Sequence, residues 1–196
     1  MIPRSAIILG AGLAGSALAR ALARRGWWVS LIDDADPRAG SRQPALAVHP
    51  AHAPDDSPAS RLSRIGLTLL AQDAAAEHGL KPGWWPLPRL QRMSIERAQA
   101  LASAWADGPL ELHEDGLLWT QPCAVDPKEL LMRWQREATE NDRLRSLVAQ
   151  VAMLKAQEGE WLALDSDGHV IANASTAILC MGYRSATVSF LSLIHI

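Results

Sequence analysis

The chain has 196 residues, 48% of them hydrophobic, with a formal net charge of -2 and a mean hydropathy of -0.01. That length gives one domain, or one domain and part of another, with enough apolar residues for a sizeable core. The near-neutral balance excludes a general electrostatic pull on nucleic acid, and no apolar run reaches membrane-spanning length. The two cysteines, Cys123 and Cys180, match neither a zinc spacing nor a disulfide framework. They read as plain core thiols of a protein in a reducing cytoplasm, and no basic-then-apolar leader opens the sequence.

Ser5 to Leu9 reads as a buried strand, short, apolar and ended by glycine. From Gly15, SALARALARRG is rich in strong helix formers, and Gly26 is a stop. WVSLID, Trp28 to Asp33, is a second strand. Strand, tight turn, helix and strand within about thirty residues is the context that a glycine fingerprint needs. Gly10 permits the turn, Gly12 lets a pyrophosphate approach the backbone, and Gly15 lets the helix pack close to the strand. The helix start offers free amides and about half a positive charge. Asp33 closes the second strand, where a carboxylate accepts from a ribose diol. The pattern predicts a dinucleotide site but does not choose between NAD and FAD.

Next comes DADPRAGSRQPALAVHPAHAPDDSPAS, a long irregular segment of the kind that is usually functional. Ser57-Pro58 is an N-cap followed by proline in the first turn. The helix predicted from Ala59 to His78 has Leu62, Ile65 and Leu69 on one face, with Ala76 two turns further on, and Gln72 and Asp73 near that stripe weaken its apolar side toward the end. KPGWWPLPRL is a turn-rich connector, Ser94 to Ala106 a helix, and Gly116 to Gln121 a strand. In AVDPKELLMRWQREA, Asp126, Pro127 and Glu129 form a helix start, with Leu130, Leu131 and Trp134 on the apolar side. LVAQVAML reads as one strand. EWLALDSDGHVIANA reads as a hairpin turning at Asp167-Gly168, and TAILCMG as a buried strand that rejoins the first sheet. This order suits flavoproteins better than NAD dehydrogenases.

Four stretches carry a resemblance to a known family: ILGAGLAGSALARALARRGWWVSLID, AGSRQPALAVHP, DDSPASRLSRIG, and GLLWTQPCAVDPKELL with IANASTAILCMG. The chain resembles the D-amino-acid-oxidase-like FAD oxidoreductases, and within them the flavin half of the bifunctional tRNA wobble-uridine-modifying enzymes. The resemblance spans nearly all of residues 5 to 187. Pro44 stands where the family has glycine, and Asp33 where it more often has Glu. The implied fold is α/β: an FAD-binding Rossmann-like βαβ unit with a β-meander, plus part of an inserted α+β substrate domain, with the C-terminal half of the fold missing. The implied division is 1–80 for the first part of the FAD domain, 81–140 for the insertion and 141–190 for the returning part. The last residues, 191–196, resemble a translated sequencing adapter and are excluded from fold reasoning.

The resemblance implies FAD. Gly10, Gly12 and Gly15, with the backbone of Leu13 and Ala14, would hold its pyrophosphate and Asp33 its adenosine ribose. Ser41, Arg42 and Gln43 would lie on the flavin side, Val151 would face adenine from the strand before the meander, and Gly182 would end the returning strand near the cofactor. The implied reaction removes a carboxymethyl group from a secondary amine on the tRNA wobble uridine, beside a companion methyltransferase domain. The alternatives are a small-molecule amino-acid oxidase and a truncated, inactive piece. No catalytic side chain is assigned, since the substrate-binding arginine is expected in the missing half. His49, His52, Asp55 and Asp56 read as an irregular loop rather than a metal site. Arg24, Arg25, Arg61 and Arg64 read as solvated helix faces. The tryptophan doublets Trp27-Trp28 and Trp84-Trp85 read as packing rather than base-stacking surfaces. His113 and Glu114 carry no assignment.

Overall fold

The computed structural model describes residues 4–48, 57–75, 81–105, 108, 110–120, 123–140 and 142–191. The His49, His52, Asp55 and Asp56 group and residues 192–196 lie outside them. The chain begins with β1 (Ser5–Leu9), α1 (Leu13–Arg24), β2 (Trp28–Asp33), β3 (Leu46–Val48) and α2 (Pro58–Ala74). It continues through β4 (Trp84–Pro86), β5 (Arg89–Arg92), α3 (Ile95–Ala104), β6 (Leu110–His113), β7 (Gly116–Trp119) and β8 (Cys123–Val125). Last come α4 (Pro127–Thr139), β9 (Leu144–Val148), β10 (Met153–Gln157), β11 (Glu160–Leu164), β12 (Val170–Ala174), β13 (Thr176–Leu179) and β14 (Ser189–Leu191). These elements form two compact units, Met1–Gln43 with Pro127–Ile196, and Pro44–Asp126.

In the first unit, β13, β1, β2 and β9 make a parallel sheet in that order. A parallel strand in mid-sheet is covered on both faces, which is why SAIIL is apolar without alternation. Ile7 and Leu9 point to one side and pack with Ile32, Leu154, Ala163 and Val188 of the meander side. Ile8 points to the other, with Ala19, Val29 and Leu31. Ile7 and Ile8 have no exposed surface, and each such side chain stabilises the fold by roughly 1.5–3 kcal/mol. Small residues on the buried side of α1 (Gly15, Ser16, Ala19 and Ala23) keep that helix close to the sheet. Helix α4 lies beside α1 and buries Leu130, Trp134 and Ala138. Its Glu137 pairs with Arg20 at 2.6 Å and Arg24 at 2.8 Å. The sequence division placed this helix in the 81–140 insertion, whereas the compact unit includes it.

The opposite sheet has the order β12-β11-β10-β14. The hairpin between β11 and β12 turns where Asp167-Gly168 predicts, with Gly168 at φ +83° and Asp165 Oδ1 accepting from the Asp167 and His169 amides. LVAQVAML, however, is two strands. The Ala149 amide donates to Asp33 O at 3.0 Å and completes the β9 ladder, while the Ala152 amide donates to Leu164 O at 2.8 Å and begins the next sheet. Leu191, within the excluded tail, pairs in β14 opposite Lys155.

The second unit has two three-stranded antiparallel sheets, β3-β8-β4 and β5-β7-β6. Helix α3 packs on the latter through Ala98, Leu101 and Trp105, which meet Leu117 and Trp119. The Trp105 and Trp119 rings sit edge to face at 5.6 Å. Ser57 caps α2 by accepting from the Ser60 amide, with Pro58 in the first turn as predicted. The apolar stripe of α2 is exposed: Leu62, Ile65 and Leu69 are 69%, 56% and 59% exposed, and the buried residues are Ser60 and Ala74. Most described tryptophans are packed, but Trp28 and Trp85 are about half exposed, at 49% and 46%.

Candidate dinucleotide-binding site

At the C-terminal ends of β13, β1 and β2 the backbone closes into a tight corner. Gly10 has φ +101°, a value that L side chains rarely adopt, and its amide donates to Ile32 O at 2.7 Å. A Cβ there would lie 2.6 Å from Cys180 O, so the returning strand presses directly on the turn. At Gly15 a Cβ would lie 1.8 Å from Gly10 O. The turn and the first helical coil touch backbone to backbone, as the spacing predicts.

Gly12 is the N-cap of α1 and offers no capping side chain. Ser41 takes up part of that task from 28 residues away, its Oγ accepting from the Leu13 amide at 3.1 Å. A Cβ on Gly12 would lie 2.8 Å from this hydroxyl. Among the described residues nothing accepts from the amides of Gly12, Ala14 and Gly15. These are the orphan donors of a helix start, where the positive end of the helix dipole also lies.

Asp33 sits beside the corner. Its Oδ2 accepts from the Ala11 amide at 2.7 Å, and its Oδ1 from the Ala35 amide at 2.8 Å and Arg42 Nη2 at 3.0 Å. A carboxylate has about four acceptor positions, so one is left for a further donor. The structure thus gathers Gly10, Gly12, Leu13, Ala14, Gly15, Asp33, Ser41 and Arg42 at one corner. Ser41 and Arg42, for which the resemblance implies a place on the flavin side, stand at the helix start and beside Asp33. Gln43 is exposed just past the 3-10 turn Gly40–Arg42. Val151 is not on a strand but in the link between β9 and β10, packed on the core. Gly182, at φ +60°, opens a 3-10 turn past the end of β13 rather than ending that strand.

One feature escaped the sequence reading. Arg184, in that last turn, pairs with Asp34 and donates to Asp36 Oδ2 at 2.9 Å. It ties the loop after β13 to the loop after β2. Hydrogen bonds from Arg38 first, then the Arg184 charge, hold the Asp36 carboxyl down at about 2. The Asp34 carboxyl is also lowered, chiefly by its bond from Arg184. The only sequence signal was the acid run Asp33-Asp34 with Asp36, which names no partner.

Residues 5–194 match the family model described as FAD dependent oxidoreductase. The chain belongs to that family. A tRNA 5-methylaminomethyl-2-thiouridine biosynthesis bifunctional protein of Polaromonas naphthalenivorans is 35% identical over 210 residues, covering 95% of this chain and 32% of that protein. The chain therefore spans about a third of the length of the curated relatives it matches. Iminodiacetate oxidase from Chelativorans superposes with a TM-score of 0.68 at 22% identity, over 93% of this chain and 56% of that one. Glycine oxidase from Bacillus cereus gives 0.67 at 17% identity, over 94% and 57%. At those identities the structures show a shared fold. No described helix is long and apolar enough to cross a membrane.

Proposed function

We propose that the glycine corner holds the pyrophosphate of FAD, and that the whole protein removes a carboxymethyl group oxidatively from a secondary amine on the tRNA wobble uridine. The observation that carries the reading is the corner itself: an amide-lined helix start kept clear by glycines whose Cβ atoms would strike Cys180 O, Ser41 Oγ and Gly10 O. The residues present fit the group. The amides of Gly12, Ala14 and Gly15 are free to meet phosphate oxygens, and the Ser41 hydroxyl, already on the Leu13 amide, has a proton to donate to them. Asp33 keeps one acceptor position for a ribose hydroxyl, and Arg42 holds that carboxylate in place. Gln43, Val151 and Gly182 belong to the same proposal as more distant lining residues.

Bound FAD supplies a two-electron acceptor for the carbon beside an amine nitrogen. The chain's task at this corner is to fix the cofactor's position and to favour its charge through fixed amides rather than mobile water. The overall change converts N–CH2–COO⁻ to an imine, which water splits into a primary amine and glyoxylate. The tRNA biosynthesis role for which the 35%-identical relative is named supports tRNA as the carrier of that amine.

The test uses the longest reading frame that contains this chain, purified and assayed for bound flavin. Release of glyoxylate from carboxymethylaminomethyl-uridine tRNA, with free glycine and sarcosine untouched, is the expected result. Turnover of the free amino acids alone would replace the tRNA reading with a small-molecule oxidase. Absence of flavin would overturn the cofactor assignment.

A further inference from the structure

The end of the parallel sheet opposite the glycine corner carries an aromatic and basic cluster that the cofactor site does not use. Topology assembles it. Parallel strands bring their N-terminal ends together, so the residues entering β1, β2 and β9 become neighbours: Ser5 lies opposite Trp28, Val29 opposite Leu144 and Ser30 opposite Arg145. The C-terminal end of α1, with Arg25, leads into the same edge.

Trp28 is half exposed on this edge. The Arg143 guanidinium lies 4.9 Å from its ring centroid and is aimed by a bond from Nη1 to Gly26 O at 3.1 Å. Arg4 lies over the neighbouring Trp27 at 5.9 Å. A groove of about 250 Å³ runs between Trp28, Arg143, Arg145, Ser5 and Asn173. Among the described residues Arg4, Arg25, Arg143 and Arg145 have no carboxylate partner. The groove is lined by one acid, Asp142, and Glu160 beside it is engaged by Asn173 at 2.7 Å. Four guanidinium groups without a carboxylate partner among the described residues, on a chain with a net charge of -2, make this a basic edge.

We propose that this edge is an RNA contact surface: Trp28 stacks on an unpaired base, and Arg143, Arg145, Arg4 and Arg25 meet phosphates. The inference rests on the tRNA reading above and deepens it. A guanidinium behind an indole face and further cations at the rim is the chemistry that single-stranded nucleic acid recognises. The partner must also be large. A five-residue strand is about 17 Å long, so a ligand that touches this edge and the far end of the sheet must span at least that distance. A free amino acid cannot, whereas a tRNA can.

The experiment measures binding of an unmodified tRNA transcript to the full chain, by filter retention, across a series of salt concentrations. Arg143→Ala with Arg145→Ala should flatten the log–log salt dependence by about 1.4–1.8, since each lost phosphate contact removes about 0.7–0.9. Trp28→Ala should weaken binding by roughly 5-fold to 100-fold, and Trp28→Phe should restore most of it. Circular dichroism and urea titration confirm that each variant folds. Transcript binding that keeps its affinity and slope in these variants overturns the surface and leaves the tRNA reading standing. Variants that instead disrupt a protein–protein association, with the RNA slope unchanged, overturn it in favour of a protein interface. If the longest reading frame turns over glycine or sarcosine but not tRNA, the substrate reading itself has failed, and the assay of this edge plays no part in that result.

Discussion

Gly15→Ala puts the backbone geometry of the corner to a test of sign. Helix propensity alone says that Ala inside α1 stabilises, by about 1 kcal/mol over Gly. The structure says the opposite. A Cβ at position 15 would lie 1.8 Å from Gly10 O, against a floor of 3.0 Å for real contacts, so the two must separate by about 1.2 Å (3.0 less 1.8). Neither side yields easily. Gly10 is held by its bond to Ile32 O and by Cys180 against its Cα, and α1 is held by buried Ala19 and Ala23. Overpacking commonly costs about 1–3 kcal/mol, and a backbone-to-backbone contact belongs at the upper end. The net expectation is a loss of about 2 kcal/mol, or about 4–8 °C in Tm for a chain of this size. Thermal and urea unfolding of the two proteins measure it. A Tm equal to or above the parent's would refute the close-approach argument, because helix propensity would then have won.

Gly12→Val should weaken FAD binding at least tenfold (about 1.4 kcal/mol) in the longest reading frame, read by flavin fluorescence, because its Cβ lies 2.8 Å from Ser41 Oγ and fills the helix start. The stability cost should be smaller than for Gly15→Ala, since the group it meets is a side-chain hydroxyl that can turn away. Arg184→Ala removes the chief partner of Asp34 and one partner of Asp36. Both carboxyls are lowered, so their stabilising effect is present above the unfolded carboxylate value of about 4 and is lost as pH falls through their lowered values. The stability gap between parent and variant, followed by urea midpoints, should therefore shrink as the solution is acidified; a gap that widens toward acid contradicts the pairing. Leu62→Ser and Leu69→Ser should each change the stability of the 196-residue chain by less than about 0.5 kcal/mol, because both side chains are already more than half exposed.

How legible each part was depends on the range of the forces that shape it. The βαβ corner could be read because all its constraints lie within one stretch: an apolar run buried on both faces, glycines where backbones touch, an acid at the end of the second strand. The break inside LVAQVAML could not. Every residue there suits a strand, and the change of sheet is set by where two distant carbonyls, Asp33 O and Leu164 O, collect the Ala149 and Ala152 amides. The Arg184 clamp joins residues about 150 positions apart, and no local pattern marks such a pair. For α2 the period was right, and burial could not be read from it. Periodicity shows that Leu62, Ile65 and Leu69 share a face; it does not show what, if anything, lies against that face.

Ser41 brings these ranges together. The family resemblance implies a place for it among cofactor-lining residues on the flavin side, and nothing in the local sequence ties it to the start of α1. Two features of the folded chain bring it back to the start of α1: the turn at Gly40–Arg42, and Arg42 reaching Asp33. The hydroxyl can occupy that place only because residue 12 has no Cβ, and the Leu13 amide needs it because Gly12 has no side chain to cap the helix. Glycine at 12 and serine at 41 thus depend on each other: the glycine whose missing Cβ opens room at the helix start also leaves that helix without a side-chain cap, and the serine hydroxyl accepts from the Leu13 amide in its place.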